Sequence, residues 1–336
     1  MAVQVSVIVP IRNEERFIER TLRALLQQDF PTAATEILVV DGESTDRTRE
    51  IVARIASADS RVRLLTNPRR WSSAARNLGV REALGEFILI VDGHCELQDT
   101  AYLRKMVRAF EASGADCLGR PQPQDVSEAT PIQQAIAAAR SSPVGHHPDS
   151  FIYSDQPQFV PAHSVAVAYR RSVFAVVGNF DDSFDACEDV ELNHRIDKAG
   201  LRCWFAPELE IRYEPRGTLN GLFRQLVRYG RGRIRLMRKH PETRSLKTLV
   251  PAMFVAGLPV GGIVSLFSSW LALLYVGVLL LYLAIIAIGS LLVSRKVDTW
   301  RAAIAIPIVL VVIHLASGWG QWREWFQPVR ANPFAG

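Results

Sequence analysis

From Leu249 to Val293 the chain runs 45 residues without a formally charged side chain. A helix needs about 20 apolar residues to cross a hydrocarbon core of about 30 Å, so the run has room for two crossings. Ser268 and Ser269 mark the division, which predicts helices near 248–267 and 270–293. A basic patch of Arg295, Lys296 and Arg301 follows, then a third apolar stretch from Ala302 to Gly320 and a tail over 321–336. Positive charge flanks the first helix on its N-terminal side and the second on its C-terminal side. By the positive-inside rule both ends of that pair face the cytoplasm. A buried core hairpin is the competing explanation, and the length of the uncharged run disfavours it. Whether the third stretch also spans is open; Trp319, Trp322 and Trp325 near its end suit an interfacial belt on either side.

The approach to this region is basic. Between Arg216 and Lys247 stand eight Arg and two Lys against one acid, Glu242, interleaved with Leu222, Phe223, Leu226, Ile234, Leu236 and Met237. Such a pattern suits amphipathic helices on a membrane surface. Because apolar helices follow directly, the bilayer is the expected partner and a nucleic acid is not. The overall charge of +5 adds little to this. No signal-peptide pattern precedes the first strand, so the residues before the membrane are expected in the cytoplasm. Cys95, Cys117, Cys187 and Cys203 show no CxxC or paired metal spacing, which fits a reducing compartment.

The first two hundred residues alternate strands and helices. Val3–Pro10 reads as a buried strand, and Asn13 is placed to cap the helical pattern NEERFIERTLRALLQQ. A second strand, Glu36–Val40, ends at Asp41, and a helix over Thr45–Ala56 leads to a short strand, Val62–Leu65. Ser72–Leu84 is helical up to Gly85, and a fourth strand, Phe87–Val91, ends at Asp92. This order predicts an α/β fold with a mostly parallel sheet, whose ligands bind outside the carboxyl ends of the strands. Pro10, Asp41 and Asp92 share that rim. Neither GxGxxG nor GxxxxGK[ST] follows the first strand, which disfavours dinucleotide dehydrogenases and P-loop NTPases.

The stretches VSVIVPIRNEERFIERTL, EILVVDGESTDRT, SSAARNLGVREALGEFILIVDGH, YRRSVFAVVGNFDDSF and EDVELNHRIDKAG cover about residues 3–201. In that order they resemble the inverting family 2 glycosyltransferases of the GT-A fold, a Rossmann-like nucleotide-diphospho-sugar transferase architecture. With the C-terminal membrane hairpin, the chain is similar to succinoglycan-type exopolysaccharide glucosyltransferases. The resemblance implies a GT-A domain over 1–215, basic interfacial helices over 216–247 and two or three membrane helices over 248–320. Interfacial helices would hold the site at headgroup depth.

Residue by residue, the resemblance implies that Asp41 accepts hydrogen bonds from the base or ribose of a nucleotide-sugar, with a UDP-sugar favoured. Capping the turn DGESTD is its structural alternative. Pro10, Arg12, Asn13 and Glu14 would edge the nucleotide, and Arg76, with Asn77 beside it, would lie near it; helix capping and a surface arginine are the plain alternatives. Asp92-Gly93-His94 occupies the family's DxD position, where a carboxylate binds Mn²⁺ or Mg²⁺. Here His94 replaces the second acid and would ligate Mn²⁺ more readily than Mg²⁺. Asp189 would be the general base, with Glu188 and Glu191 orienting the loop, although acids in the first turn of a helix are also stabilised there without any such role. Gln225, Arg228 and Tyr229 resemble the family's Q/RxxRW motif near the acceptor and diphosphate, within a segment rich in Arg by any account. His146 and His147 read as a surface loop over the acceptor site, His163 is undecided, and His314 in the third apolar stretch would face a bundle or a headgroup.

The expected reaction is sugar transfer to a hydroxyl of a polyprenyl-diphosphate-linked saccharide at the bacterial inner membrane. A polyprenyl-phosphate sugar synthase is the nearest rival. A processive synthase would need more membrane spans. An inactive nucleotide-sugar-binding scaffold is disfavoured by the presence of Asp41, Asp92 and Asp189 together.

Overall fold

Residues 2–146, 151–152 and 154–327 are described by a computed structural model of the chain. In chain order the elements are β1 (Val5–Ile11), α1 (Ile18–Leu26), β2 (Thr35–Asp41), α2 (Thr48–Ala58), β3 (Val62–Thr66), α3 (Ser72–Glu82), β4 (Phe87–Ile90), β5 (Cys95–Glu96), α4 (Tyr102–Ser113) and β6 (Cys117–Gly119). Then come α5 (Pro131–Arg140), β7 (Gln158–Val160), β8 (Ala166–Arg170), α6 (Arg171–Val177), α7 (Glu188–Lys198), β9 (Cys203–Phe205), β10 (Arg212–Tyr213), α8 (Leu219–Lys239), α9 (Leu246–Val264), α10 (Ser269–Ser294) and α11 (Trp300–Trp325). They fall into two units. One takes the described residues of Met1–Pro123 and Asp149–Glu214, the other those of Gln124–Pro148 and Pro215–Ala331.

The first unit is a three-layer α/β fold. Its main sheet runs β3-β2-β1-β4-β8-β6-β9-β7. The four strands from β3 to β4 are mutually parallel, and β8 joins antiparallel to β4. Successive side chains of a strand go to opposite faces. Val5, Val7 and Val9 therefore enter one core with Ile37, Val39, Phe87 and Leu89, beneath Leu22 of α1 and Met106 and Phe110 of α4. Ile8, Leu38, Val40 and Ile88 enter the other, against Ala75 of α3, Val173 of α6 and Leu192 of α7. Burial on both faces explains why these strands read as continuous apolar runs.

One helix starts later than its pattern suggests. The turn pattern continues through residue 17 and α1 begins at Ile18, because Asn13 is used elsewhere. It sits in the left-handed region at φ 57°. Its N–H donates to Ser44 Oγ at 2.9 Å, and its Oδ1 accepts the Thr45 N–H at 2.9 Å. A side chain committed to the neighbouring loop does not cap its own helix.

In the second unit α5 packs beside α11, and Gln133 Nε2 donates to the Pro215 carbonyl at 3.1 Å. Residues 246–267, 269–294 and 300–325 are each long and apolar enough to cross a membrane. α9 and α10 form an antiparallel hairpin: the Phe254 and Tyr282 rings pack tilted with centroids 4.3 Å apart, and Tyr275 OH donates to the Leu258 carbonyl at 2.9 Å. His314 faces the bundle, with Nδ1 3.2 Å from Tyr282 OH and Nε2 2.9 Å from the Val144 carbonyl.

All four cysteines are buried, and none is in a disulfide. Burial, with Asp92 nearby, pushes the Cys95 thiol up to about 12. A hydrogen bond with Cys203 and burial raise that of Cys117. A thiol held protonated and out of water is inert. Maleimide is therefore expected to leave the native protein unlabelled and to modify all four after denaturation. Fast native labelling at Cys95 would show that the turn after Asp92 opens readily.

Candidate active site

The register of the parallel strands builds a single rim. Ile11 lies beside Asp41, Asp41 beside Thr66, and Asp92 follows the end of β4. Pro10 is half-buried there, and Arg12 is exposed. The loops leaving β1 and β2 are laced together, for Glu14 N–H also donates to Thr48 Oγ1 at 2.8 Å. Asp41 is fully buried. Its carboxylate accepts Ser44 Oγ at 2.5 Å, Ser44 N–H at 3.2 Å and Arg49 Nη1 at 2.7 Å. These donors fill most of the roughly four acceptor positions of a carboxylate. The turn-organising role of Asp41 is thus present in the geometry.

Arg76 is the hub of the site. It projects from α3 with only 11% of its side chain exposed. Its Nη1 lies 3.2 Å from Glu188 Oε1 and its Nη2 3.8 Å from Asp92 Oδ1. Burial opposes charge on this guanidinium, but Glu188, Asp189 and Asp92 outweigh it and raise its pKa above the usual arginine range. The surface-arginine alternative fails, since the side chain joins two of the acids singled out in the sequence.

The neighbours of Arg76 on α3 hold the loop that delivers those acids. Asn77 Nδ2 donates to the Phe180 carbonyl and to Asp182 Oδ1, both at 2.8 Å, and its Oδ1 accepts the Phe180 N–H at 2.9 Å. Ser73 Oγ donates to the Phe184 carbonyl at 3.2 Å. Asn77 therefore serves the protein's own loop. At the loop's end Cys187 takes φ 63° and α7 begins with Glu188 and Asp189. Asp189 is half-exposed, and its Oδ1 accepts the Val190 N–H at 2.8 Å. Glu191 is fully buried and paired with Arg195 at 2.8 Å, which in turn donates to the Asn179 carbonyl at 2.7 Å. Glu191 is a structural brace.

Asp92, Gly93 and His94 turn sharply between β4 and β5. A Cβ on Gly93 would stand 2.7 Å from Ile11 Cγ2 and 3.2 Å from Glu14 Cγ, so only glycine fits. His94 Nδ1 is 3.1 Å from Glu14 Oε1, which turns the Glu14 carboxylate toward the imidazole. Tyr213 of β10 pairs with Cys95 in a small antiparallel ladder and sets its ring edge-on to His94. Its hydroxyl accepts Nη2 of the fully buried Arg120 at 3.0 Å. Nothing in the sequence singles out Arg120, just after the short β6, or Tyr213, in the two-residue β10. Among the described residues Asp92 and His94 belong to no group of three mutually close metal ligands. A partly exposed carboxylate beside an imidazole oriented by a second carboxylate is a donor set that fits a cation completing its shell with substrate phosphates.

The remaining candidates are carried by other elements. Gln225, Arg228 and Tyr229 are on α8 in the second unit, where Gln225 Nε2 donates to Tyr229 OH at 3.2 Å. His163 Nδ1 lies 2.5 Å from Asp197 Oδ2, near the C-terminal end of α7. His147 lies outside the described residues.

Residues 6–178 match glycosyl transferase family 2, and residues 99–320 match glycosyl transferase family group 2. The chain belongs to glycosyl transferase family 2. It is 33% identical over 320 residues to the succinoglycan biosynthesis protein ExoA of Rhizobium meliloti, covering 95% of this chain and 94% of that one. It is 23% identical over 329 residues to a dolichyl N-acetyl-α-D-glucosaminyl phosphate 3-β-D-2,3-diacetamido-2,3-dideoxy-β-D-glucuronosyltransferase of Methanococcus voltae, covering 95% and 96% of the two chains. Among solved structures, the mannosyltransferase PcManGT of Pyrobaculum calidifontis, in complex with GDP-Man and Mn²⁺, superposes with a TM-score of 0.62 at 18% identity over 95% of this chain and 88% of that one. The fold is GT-A, and the protein is a glycosyltransferase of family 2.

Removing the charge at the hub leaves Glu188 buried and unpaired, which costs about 3–5 kcal/mol. Arg76→Leu is expected to lower the melting temperature and abolish turnover. Arg76→Lys should recover much of the stability but little of the activity, because an ammonium does not present the guanidinium's fork of donors. Thermal denaturation and sugar-transfer assays on both variants check this.

Proposed function

We propose that this glycosyltransferase moves a sugar, with inversion, from a nucleotide-sugar to a hydroxyl of a polyprenyl-diphosphate-linked saccharide. The transfer takes place at the cytoplasmic face of the bacterial inner membrane, in exopolysaccharide or cell-envelope glycan synthesis. The observation carrying this reading is the Arg76 bridge, which couples Asp92 at the nucleotide rim to the acids that open α7. A leaving diphosphate and an attacking hydroxyl are the two things such a pair of positions serves.

Asp189 is the general base. Half-exposed at the start of α7, it takes the proton of the acceptor hydroxyl as that oxygen attacks the anomeric carbon from the face opposite the diphosphate, which inverts the centre. Glu188, tied to Arg76, orients the helix start on which Asp189 sits. Asp41 and the loop of Pro10, Arg12, Asn13 and Glu14 edge the nucleoside. Asp92 and the Nε2 of His94 would hold Mn²⁺ or Mg²⁺, whose charge stabilises the departing diphosphate when bound. Arg76 contributes a fixed positive charge to the same region. Gln225, Arg228 and Tyr229 are assigned to the acceptor end and the diphosphate, an assignment resting on their motif.

The relatives support each side of the reaction. The ExoA relative takes part in succinoglycan biosynthesis, and the archaeal relative's name specifies a sugar carried on dolichyl phosphate. The structural relative PcManGT holds GDP-Man with Mn²⁺. A UDP-sugar is favoured here as the commoner donor among similar enzymes.

The test offers UDP- and GDP-sugars to the purified protein in lipid, with polyprenyl phosphate and polyprenyl-diphosphate-sugar as acceptors. Transfer to the lipid-linked sugar, lost in EDTA and restored by Mn²⁺, is expected. Transfer only to bare polyprenyl phosphate would make the enzyme a synthase. Asp189→Asn should lose about 10²–10⁴ in turnover while binding the nucleotide normally, since general-base catalysis contributes that much. Unchanged turnover would remove Asp189 from the mechanism. Arg228→Ala should raise KM for the lipid acceptor and leave KM for the nucleotide-sugar unchanged.

A further inference from the structure

Among the described residues, three helices are long and apolar enough to cross a bilayer, but they are not equivalent. Of the most apolar part of α9 and of α10, 6% is buried within the protein; for α11 the share is 39%. The residues covering α11 come from α5, α8, α9 and α10.

The contacts of α11 locate both of its ends. α9 and α10 are antiparallel, so the N-terminus of α9 and the C-terminus of α10 lie at one end of their hairpin. α11 follows α10 after a short basic linker, so it starts at that end. Its C-terminal turns return to the same end. Gln321 Nε2 donates to the Thr248 carbonyl at 2.6 Å, and Trp322 Nε1 donates to the Ala252 carbonyl at 2.7 Å. Both acceptors lie in the opening turns of α9. A helix crossing the bilayer beside α10 would bring these residues to the opposite end, next to the α9–α10 loop.

The charges on α8 lead to the same place. This helix carries seven Lys and Arg residues within Leu219–Lys239, too many for a hydrocarbon environment. It lies against the C-terminal part of α11 without intervening side chains: a Cβ on Gly230 would come 2.3 Å from the Ser317 carbonyl, and one on Gly320 would come 2.3 Å from the Val227 carbonyl. Glu324 of α11 is buried between Arg231 at 2.9 Å and Arg235 at 2.8 Å, and Arg238 Nη2 donates to the Trp325 carbonyl at 2.7 Å. The end of α11 is therefore fixed to the most basic part of the chain, which the positive-inside rule keeps in the cytoplasm.

We infer that the chain crosses the bilayer twice, through α9 and α10, and that α11 lies with α8 and α5 in the cytoplasmic headgroup layer. The partner of this three-helix platform is the bilayer surface. Its exposed apolar residues, including Trp319 and Trp325, face the boundary between headgroups and acyl chains. The inference concerns the topology alone and stands independently of the reaction assigned to the first unit.

The test uses the full-length protein in its own membrane. Because the native thiols are buried, single replacements can be made in the natural background. Ser269→Cys marks the hairpin tip, Asp298→Cys the linker before α11, and Phe326→Cys the residue just after it, which is 78% exposed. Membrane-impermeant maleimide is added to spheroplasts and to inverted vesicles. Ser269→Cys is expected to label in spheroplasts, and Asp298→Cys and Phe326→Cys only in inverted vesicles. Labelling of Phe326→Cys from the same side as Ser269→Cys overturns the inference, and so does labelling of all three from one side. Should Phe326→Cys stay silent from both faces, a fluorescent protein fused after Gly336 decides: fluorescence, which requires the cytoplasm, supports the platform, and a dark fusion of normal abundance overturns it.

Discussion

A buried guanidinium needs acids around it, and in this protein the acids it collects come from distant parts of the chain. Arg76 lies against Glu188 at the start of α7 and near Asp92 at the end of β4. Taking an ion out of water costs several kcal/mol, which only well-placed counter-charges and hydrogen bonds offset. The position of α3 on the sheet is therefore coupled to the positions of both acids. Asn77 and Ser73, on the same helix, hold the backbone of residues 180–184, so the loop leading to α7 is fixed by the element that supplies the counter-charge. One short helix therefore fixes both of these acids.

The rim around this pair is strained as well as charged. Among the described residues, Asn13, Glu43, Arg70 and Cys187 are the non-glycine residues with positive φ, and they lie after β1, β2 and β3 and just before α7. A left-handed conformation costs an L-residue about 1–2 kcal/mol. It persists where surrounding contacts over-determine it, as the lacing of Asn13 to Ser44 and Thr45 does. Gly93 belongs to the same economy of space, since the turn that presents Asp92 passes too close to Ile11 for any side chain.

Much of this was legible in the sequence because it is local. Apolar runs in EILVV and FILIV announce strands buried on both faces, and each ends at an aspartate on the rim. The first turn of α7 is marked by its acids. What escaped depends on contacts that leave no periodic trace. Asn13 looks like a helix cap, and the loop that claims its backbone N–H and its side chain lies 31 and 32 positions away. Arg120 and Tyr213, which back the turn at His94, are separated by 93 positions. The described residues of 124–148 cluster with the C-terminal helices, much further along the chain; Thr299 Oγ1, for example, meets Gln134 Oε1 at 3.1 Å. The third apolar stretch has the length of a span, and only its partners show that its last turns pack on the opening turns of α9.

The close approach of α8 and α11 at Gly230 and Gly320 bears on how the second unit would behave in detergent. Contacts between helix backbones, and ion pairs such as Arg235 with Glu324, do not draw their strength from removing apolar surface from water. Replacing acyl chains with detergent changes little for such a joint. The far half of the α9–α10 hairpin has no comparable support, because most of its surface meets only the surrounding solvent. Solubilised protein will therefore keep an ordered α8–α11 pair while the hairpin adapts to whatever micelle encloses it. The choice of detergent governs the anchor more than the platform.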